Sequence, residues 1–139
     1  MSTTYDFGDG NGPVPARQHP NGGGRVADTA RVSETAFVGP GVWVYGNARI
    51  SDDARVRDNA QVFGEARVSG NALIFGEARV FGNASVFGNA KVFGKATVFG
   101  RAWVYDYAQA FGNARVCGRA RVRGTAKIED RLLLGGVHE

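Results

Sequence analysis

The stretch Val62–Gly100 reads VFGEAR VSGNAL IFGEAR VFGNAS VFGNAK VFGKAT VFG, one six-residue phrase repeated with small changes. A fixed short period decides a fold, because a single repeat cannot bury its apolar face and must stack on its neighbours. Extended both ways, the phase runs from Val26 to Leu134 without an inserted or missing residue. An aliphatic residue or alanine falls at position 26 and at every sixth residue after it. Four residues beyond each stands a small one, alanine in 16 of 18 hexads and replaced only by Val42 and Leu132.

Alternate side chains of a strand point to opposite faces, so Ala30 and Val32 are expected inside while Arg31 and Ser33 point out. The next two positions are usually Gly or Asp, then Asn, Asp, Glu or Thr. Gly, Asn and Asp accept the left-handed backbone angles that a sharp corner needs. Four residues of strand and two of corner make one side, and three sides close an 18-residue coil, so residues 26–133 form six coils. At the ~4.8 Å spacing of paired strands the stack stands roughly 25–30 Å tall. Its interior alternates Val or Ile with Ala, large against small.

Phrases such as VYGNAR, ISDDAR, VFGNAS and VFGNAK resemble the hexapeptide repeats of left-handed parallel β-helices. The Tyr or Phe after the aliphatic residue brings them nearest to the β-solenoid repeats of YdcK-type proteins. The resemblance covers about 108 of 139 residues. It implies an all-β fold, a left-handed parallel β-helix shaped as a triangular solenoid of about six coils. The segment GNGPVPARQHPNGGG is similar to those preceding such solenoids in phage and prophage proteins.

The domain layout follows. Residues 1–25 hold all but one of the prolines and many glycines, and read as an N-terminal cap over the first coil. Tyr5, Phe7 and Val14 are its expected plugs. Residues 26–134 are the solenoid and residues 135–139 a C-terminal tail, with His138 expected to fray. Leu132-Leu133-Leu134 cannot all face inward from one strand, and are expected to cover the open end or to meet another subunit there.

Residues 18 apart share a column. One side shows Tyr45, Phe63, Phe81 and Phe99, with Trp43 beside them; another shows Phe75, Phe93 and Phe111. Rings one coil apart stack favourably whether or not a partner covers them. Rows on two adjoining sides nevertheless make an apolar patch of a size that monomers rarely expose. These eight residues are therefore the expected oligomer interface, closed as a dimer or trimer, with Arg79 and Arg115 as rim contacts or cation–π partners. On the remaining side, second in chain order, the early coils are wet, pairing Arg31 with Ser33, Arg49 with Ser51 and Arg67 with Ser69. Higher up, the register places Arg121 over Trp103 and Arg123 over Tyr105. Those four form a candidate site for a flat, anionic, nucleotide-like ligand. Tyr107 at a corner and Ala110 in a valine position mark the same region as a departure from the pattern.

Hexapeptide-repeat folds often belong to acyltransferases using coenzyme A, which carry a histidine base and an inserted loop. This chain has no histidine between Pro20 and Val137 and no insertion in its 18 hexads. His19 has no partner carboxylate in sequence, and no catalytic residue is assigned. The fold's carbonic anhydrases need three metal-binding histidines, whereas two exist here, at opposite ends. Asp52, Asp53 and Asp58 read as solvated turns, and Cys117 lacks an adjacent base. No metal or cofactor is expected. A net charge of +4, from 17 basic and 13 acidic residues, is mild. Basic and aromatic columns lie largely on alternate sides, which argues against nucleic acid. No run of 18 apolar residues spans a bilayer, MSTTYDFGDGNG is not a signal peptide, and a lone cysteine suits a reducing compartment. The expectation is a cytoplasmic, non-enzymatic scaffold that self-associates or binds a protein partner. Anionic-ligand binding is the alternative, and a coenzyme A-dependent acyltransferase-like protein the second.

Overall fold

The computed structural model describes residues 3–139, and among them every regular element is a strand. Successive two-residue strands such as Gln61–Val62, Arg67–Val68 and Leu73–Ile74 belong to three different sheets. Each pairs in parallel with the strand 18 residues away, Val62 with Val80, Val68 with Val86 and Ile74 with Val92. The chain thus winds as a β-solenoid of about six turns, walled by sheets of nine, seven and six strands that are parallel throughout the coils. The nine-stranded sheet, called side one below, carries Val44, Val62, Val80 and Val98. Side two carries Ile50, Val68, Val86 and Val104, and side three Val56, Ile74, Val92 and Ala110.

The interior is a single column of aliphatic side chains. From Ala36 to Val122 the inward Val, Ile and Ala residues are at most 1% exposed. Burial of each valine contributes on the order of 1.5–3 kcal/mol. Alanine between the valines leaves room for them, because the cross-section is too narrow for two large side chains.

Corners explain the third conserved part of the phrase. Gly46, Gly64, Gly82 and Gly100 all have φ near +67°, and a Cβ built on Gly82 would lie 2.9 Å from the Gly100 nitrogen. Backbone approaches backbone here, and side chains are strained in this conformation. Aspartate is the exception. Asp52, Asp58 and Asp106 take the same positive φ, and each carboxylate accepts a hydrogen bond from the amide of the next corner, Gly70, Gly76 and Gly124, at 3.0 Å. The substitution that strains the backbone therefore supplies an acceptor for a neighbouring donor.

Both ends differ from the sequence expectation. At the N-terminus, β1 (Thr3–Asp6) and β2 (Pro13–Gln18) form an antiparallel hairpin, and β2 pairs antiparallel with β3 (Arg25–Ala27), so side one continues past the first coil. Tyr5, Phe7 and Val14 do not plug the prism. Ala16 lies opposite the outward-facing Ala27, which sets the hairpin's apolar face on the outside of side one. Ala27 has no ring, and Phe7 fills its place in the column, stacked on Tyr45 at 4.9 Å. Tyr5 and Phe7 both meet Trp43 edge-on. The first coil is instead contacted by the loop after β2. His19, 3% exposed, bonds the Ala36 carbonyl through Nε2 at 2.8 Å, and Gly24 donates to Val38.

At the C-terminus the 18-residue phase breaks. Val116 pairs with Leu133 and not with Leu134, and Val122 pairs with His138. Keeping phase would drive Leu132 into an inward slot that holds alanine in most coils. The chain drops one residue at the corner before Leu132 and a second before Val137, so that Leu133 is buried at 5% exposure while Leu132 and Leu134 stand at 58% and 67%. The tail does not fray away, since Val137–His138 adds a last strand to side two.

Two outcomes follow from corner and cap. Gly82→Ala is expected to lower stability by about 1–2 kcal/mol, the left-handed penalty for a Cβ. Gly82→Asp recovers part of that loss through a bond to the Gly100 amide; denaturant midpoints of the two variants compare them directly. Burial beneath Phe7, helped by the charge of Asp9 and opposed by Arg79, raises the Tyr45 pKa above its ordinary value of 10.0. The proton is held more tightly in the folded state, so this contribution is complete below the ordinary tyrosine pKa and is lost as pH rises toward the folded one. Tyr45→Phe should flatten the fall of Tm in that alkaline window, read by thermal melts against pH.

Candidate functional site

Outward side chains repeat as faithfully as inward ones, so chemistry on this surface is arranged in rows. On side one the rings of Phe7, Tyr45, Phe63, Phe81 and Phe99 form one stack with centroids 4.8–5.0 Å apart. On side three Phe75, Phe93 and Phe111 do the same at 4.8 and 5.0 Å. Side two holds a row the sequence reading passed over, Phe87 on Tyr105 at 4.9 Å. Offset stacking at this distance contributes ~0.5–1.5 kcal/mol a pair. The strand spacing alone delivers it, and each ring covers the face of the next.

The rings expected at an interface are correspondingly less exposed than their outward direction suggests. Phe63, Phe81, Phe99, Phe75, Phe93 and Phe111 are half-buried, presenting edges more than faces. Trp43 and Tyr45 are covered by Tyr5 and Phe7 of the same chain. The two rows are also not continuous. Between them runs a shallow polar groove lined by Gln61, Glu77, Arg79, Lys95 and Thr97. Arg79 and Arg115 share that column and rest over no ring; the guanidinium–ring contacts are Arg25 on Tyr5, Arg57 on Phe75 and Arg121 on Trp103.

Trp103, Tyr105, Arg121 and Arg123 do lie together, in the register expected. Arg121 sits 4.0 Å from the Trp103 ring centre, and its Nη1 donates to the carbonyls of Arg101 and Arg119 at 3.1 and 3.2 Å. Arg123 pairs with Glu139, its Nε donating to Oε1 at 3.1 Å. The Glu139 carboxylate and the Tyr105 hydroxyl raise the Arg123 pKa. Both guanidinium groups are engaged by the chain itself, which leaves the indole as the open part of the cluster, 40% exposed. The Glu139 contact is created by the phase break near the C-terminus, and no repeat-based register anticipates it.

The remaining candidates resolve simply. His19 is a buried bridge to the Ala36 backbone. Cys117 is buried at the head of the Phe99 column, its thiol 3.5 Å from the Leu133 carbonyl. Asp52 and Asp58 are corner residues bonded to neighbouring amides. Among the described residues no three His, Cys, Asp or Glu side chains gather as metal ligands would, and no helix is long and apolar enough to cross a membrane. Of the three larger grooves, two bear on the candidate residues. One, of about 870 Å³, lies on the early coils of side three against Phe37, Arg55, Arg57 and Asp58, with Arg57 already resting on Phe75. The other, of about 610 Å³, runs along side two past Arg31, Arg49, Arg67, Ser85 and Trp103.

Comparison with known families places a repeat within this surface. Residues 48–64 match the model of the YdcK beta solenoid repeat, a stretch spanning the Asp52 corner, the Asp58 corner and the first ring above Tyr45. Comparisons with curated proteins and with solved structures give no match. The matched segment has the same strand length and register as the coils above it; the chain is a β-solenoid, and residues 48–64 of it are similar to the YdcK beta solenoid repeat.

Proposed function

We propose that the protein is a non-enzymatic β-solenoid scaffold, cytoplasmic, that self-associates through the aromatic edges of side one and of the adjoining part of side three. The observation that carries this reading is the period of the rows. Phe63, Phe81 and Phe99 stand 4.8–5.0 Å apart, held by strand pairing. A second copy carries rows of the same period. Two such rows can therefore meet edge to edge in register along their whole length without either changing shape. Half-buried rings are already ordered, so their association costs little side-chain entropy. The polar groove between the rows, with Glu77, Arg79 and Lys95, supplies charges of both signs, and a two-fold arrangement can set Glu77 of each copy against Arg79 or Lys95 of the other. A rigid prism with no inserted loop suits holding partners at fixed distances more than closing around a substrate.

The reading is tested by mass in solution. Light scattering of the wild-type chain should give a dimer or trimer, and Phe81→Glu, which places a charge in the middle of the row, should give a monomer with its β-sheet circular dichroism retained. A monomeric wild type, or an unchanged assembly in the variant, would remove the proposal.

A further inference from the structure

Side two carries a second feature, independent of the aromatic rows. Arg31, Arg49 and Arg67 occupy one outward column and pair directly, Arg31 with Arg49 and Arg49 with Arg67. Each is exposed. Like charges facing each other across paired strands destabilise a sheet. Elsewhere the fold neutralises or covers several guanidinium groups, as in Arg17 with Asp28, Arg123 with Glu139 and Arg121 on Trp103. Among the described residues these three make neither an ion pair nor a side-chain hydrogen bond. Their column lines the groove of about 610 Å³, in which Glu65 is the single carboxylate.

The same column continues upward through Ser85 to Trp103. At ~4.8 Å a coil, Trp103 stands about 10 Å beyond Arg67, with only the small Ser85 between them. The indole is fixed. Arg121 lies over it at 4.0 Å, and Phe87 and Tyr105 meet it edge-on at 6.0 and 6.3 Å. It is nonetheless among the few large apolar side chains left exposed. A preorganised flat ring at one end of a groove and a row of uncompensated cations at the other match a ligand of the same polarity.

We infer that this groove binds a nucleoside triphosphate, the base against Trp103, the sugar over Ser85 and the phosphate chain on Arg67 and Arg49. Guanidinium groups take phosphate oxygens through paired, charge-assisted bonds. Stacking of a base on an aromatic side chain is tolerant of base identity, so the site discriminates by the combination of ring and phosphates and not by base edge. Arg31 lies farthest from Trp103 and lengthens the positive field at the entrance.

The test is titration of the intact protein with ATP, followed by calorimetry and by tryptophan fluorescence, with adenosine and inorganic tripolyphosphate as partial ligands. ATP is expected to bind at least about tenfold more tightly than either, and to quench fluorescence in a way that Trp103→Phe abolishes. Arg49→Ala and Arg67→Ala, both at exposed positions, should each weaken ATP about tenfold while leaving Tm unchanged or raised, because each removes a like-charge contact. Absence of heat and quenching at about 1 mM ATP overturns the inference. So does tripolyphosphate binding as tightly as ATP, which removes the base from the site, or undiminished affinity in both arginine variants, which moves the phosphates elsewhere. Each variant lies outside the aromatic rows, and its oligomeric mass, measured alongside, separates this result from the fate of the scaffold reading.

Discussion

Backbone hydrogen bonding between coils is the constraint on which everything else in this molecule rests. Each strand donates and accepts along the axis, as when the Phe63 amide meets the Val80 carbonyl at 3.0 Å and the Phe81 amide meets Val98 at 2.9 Å. Once those bonds form, any residue must lie one strand spacing from the residue 18 positions on. Valine is stacked on valine, glycine on glycine, phenylalanine on phenylalanine and arginine on arginine. Stability, strain, stacking and surface charge are then properties of columns. A column of rings gains energy at each step, and a column of arginines loses it. Above the first coil, the left-handed corner position holds glycine or an aspartate whose carboxylate bonds a neighbouring amide.

This explains which parts of the molecule could be read from the chain. The core, the three sides, the corner residues and the vertical order of Tyr45, Phe63, Phe81 and Phe99 all follow from counting in eighteens. Contacts off the period do not. Phe7 reaches the Tyr45 column because Ala27 leaves a ring-sized gap there, and a hairpin's path over the outside of a sheet has no signature in the repeat. The C-terminal slip arises from a volume conflict at Leu132. Leucine is too large for an alanine slot, and a triple leucine offered Leu133 as the better-fitting neighbour one step away. Arg123 follows from the slip, since Glu139 reaches it only after the phase has shifted.

The candidate surface shows the same division. Membership of the rows was legible, but exposure was not, because exposure depends on what neighbouring rings and the cap conceal. Rings that look outward by strand alternation hide their faces in the stack. Trp103 keeps its exposure because Ser85 stands below it in place of another ring. The arginine column was visible as three wet positions. Its significance rests on a negative fact, the absence of partners among the described residues, and partners can be found only in three dimensions.

The antiparallel hairpin at the first coil gives the molecule a direction. Every later strand pairs in parallel, so any further strand meeting the last coil finds a template oriented like the sheet beneath it. At the other end, side one does not stop at β3: β2 pairs antiparallel along its edge, β1 follows, and the neighbouring edge at Val38 is met by the loop around His19. A coil arriving there finds the edge it would pair with on side one already occupied by β2. Growth by addition of like coils, the hazard inherent in any stack that templates its own repeat, is thereby obstructed at this end by the hairpin and loop that precede the first coil.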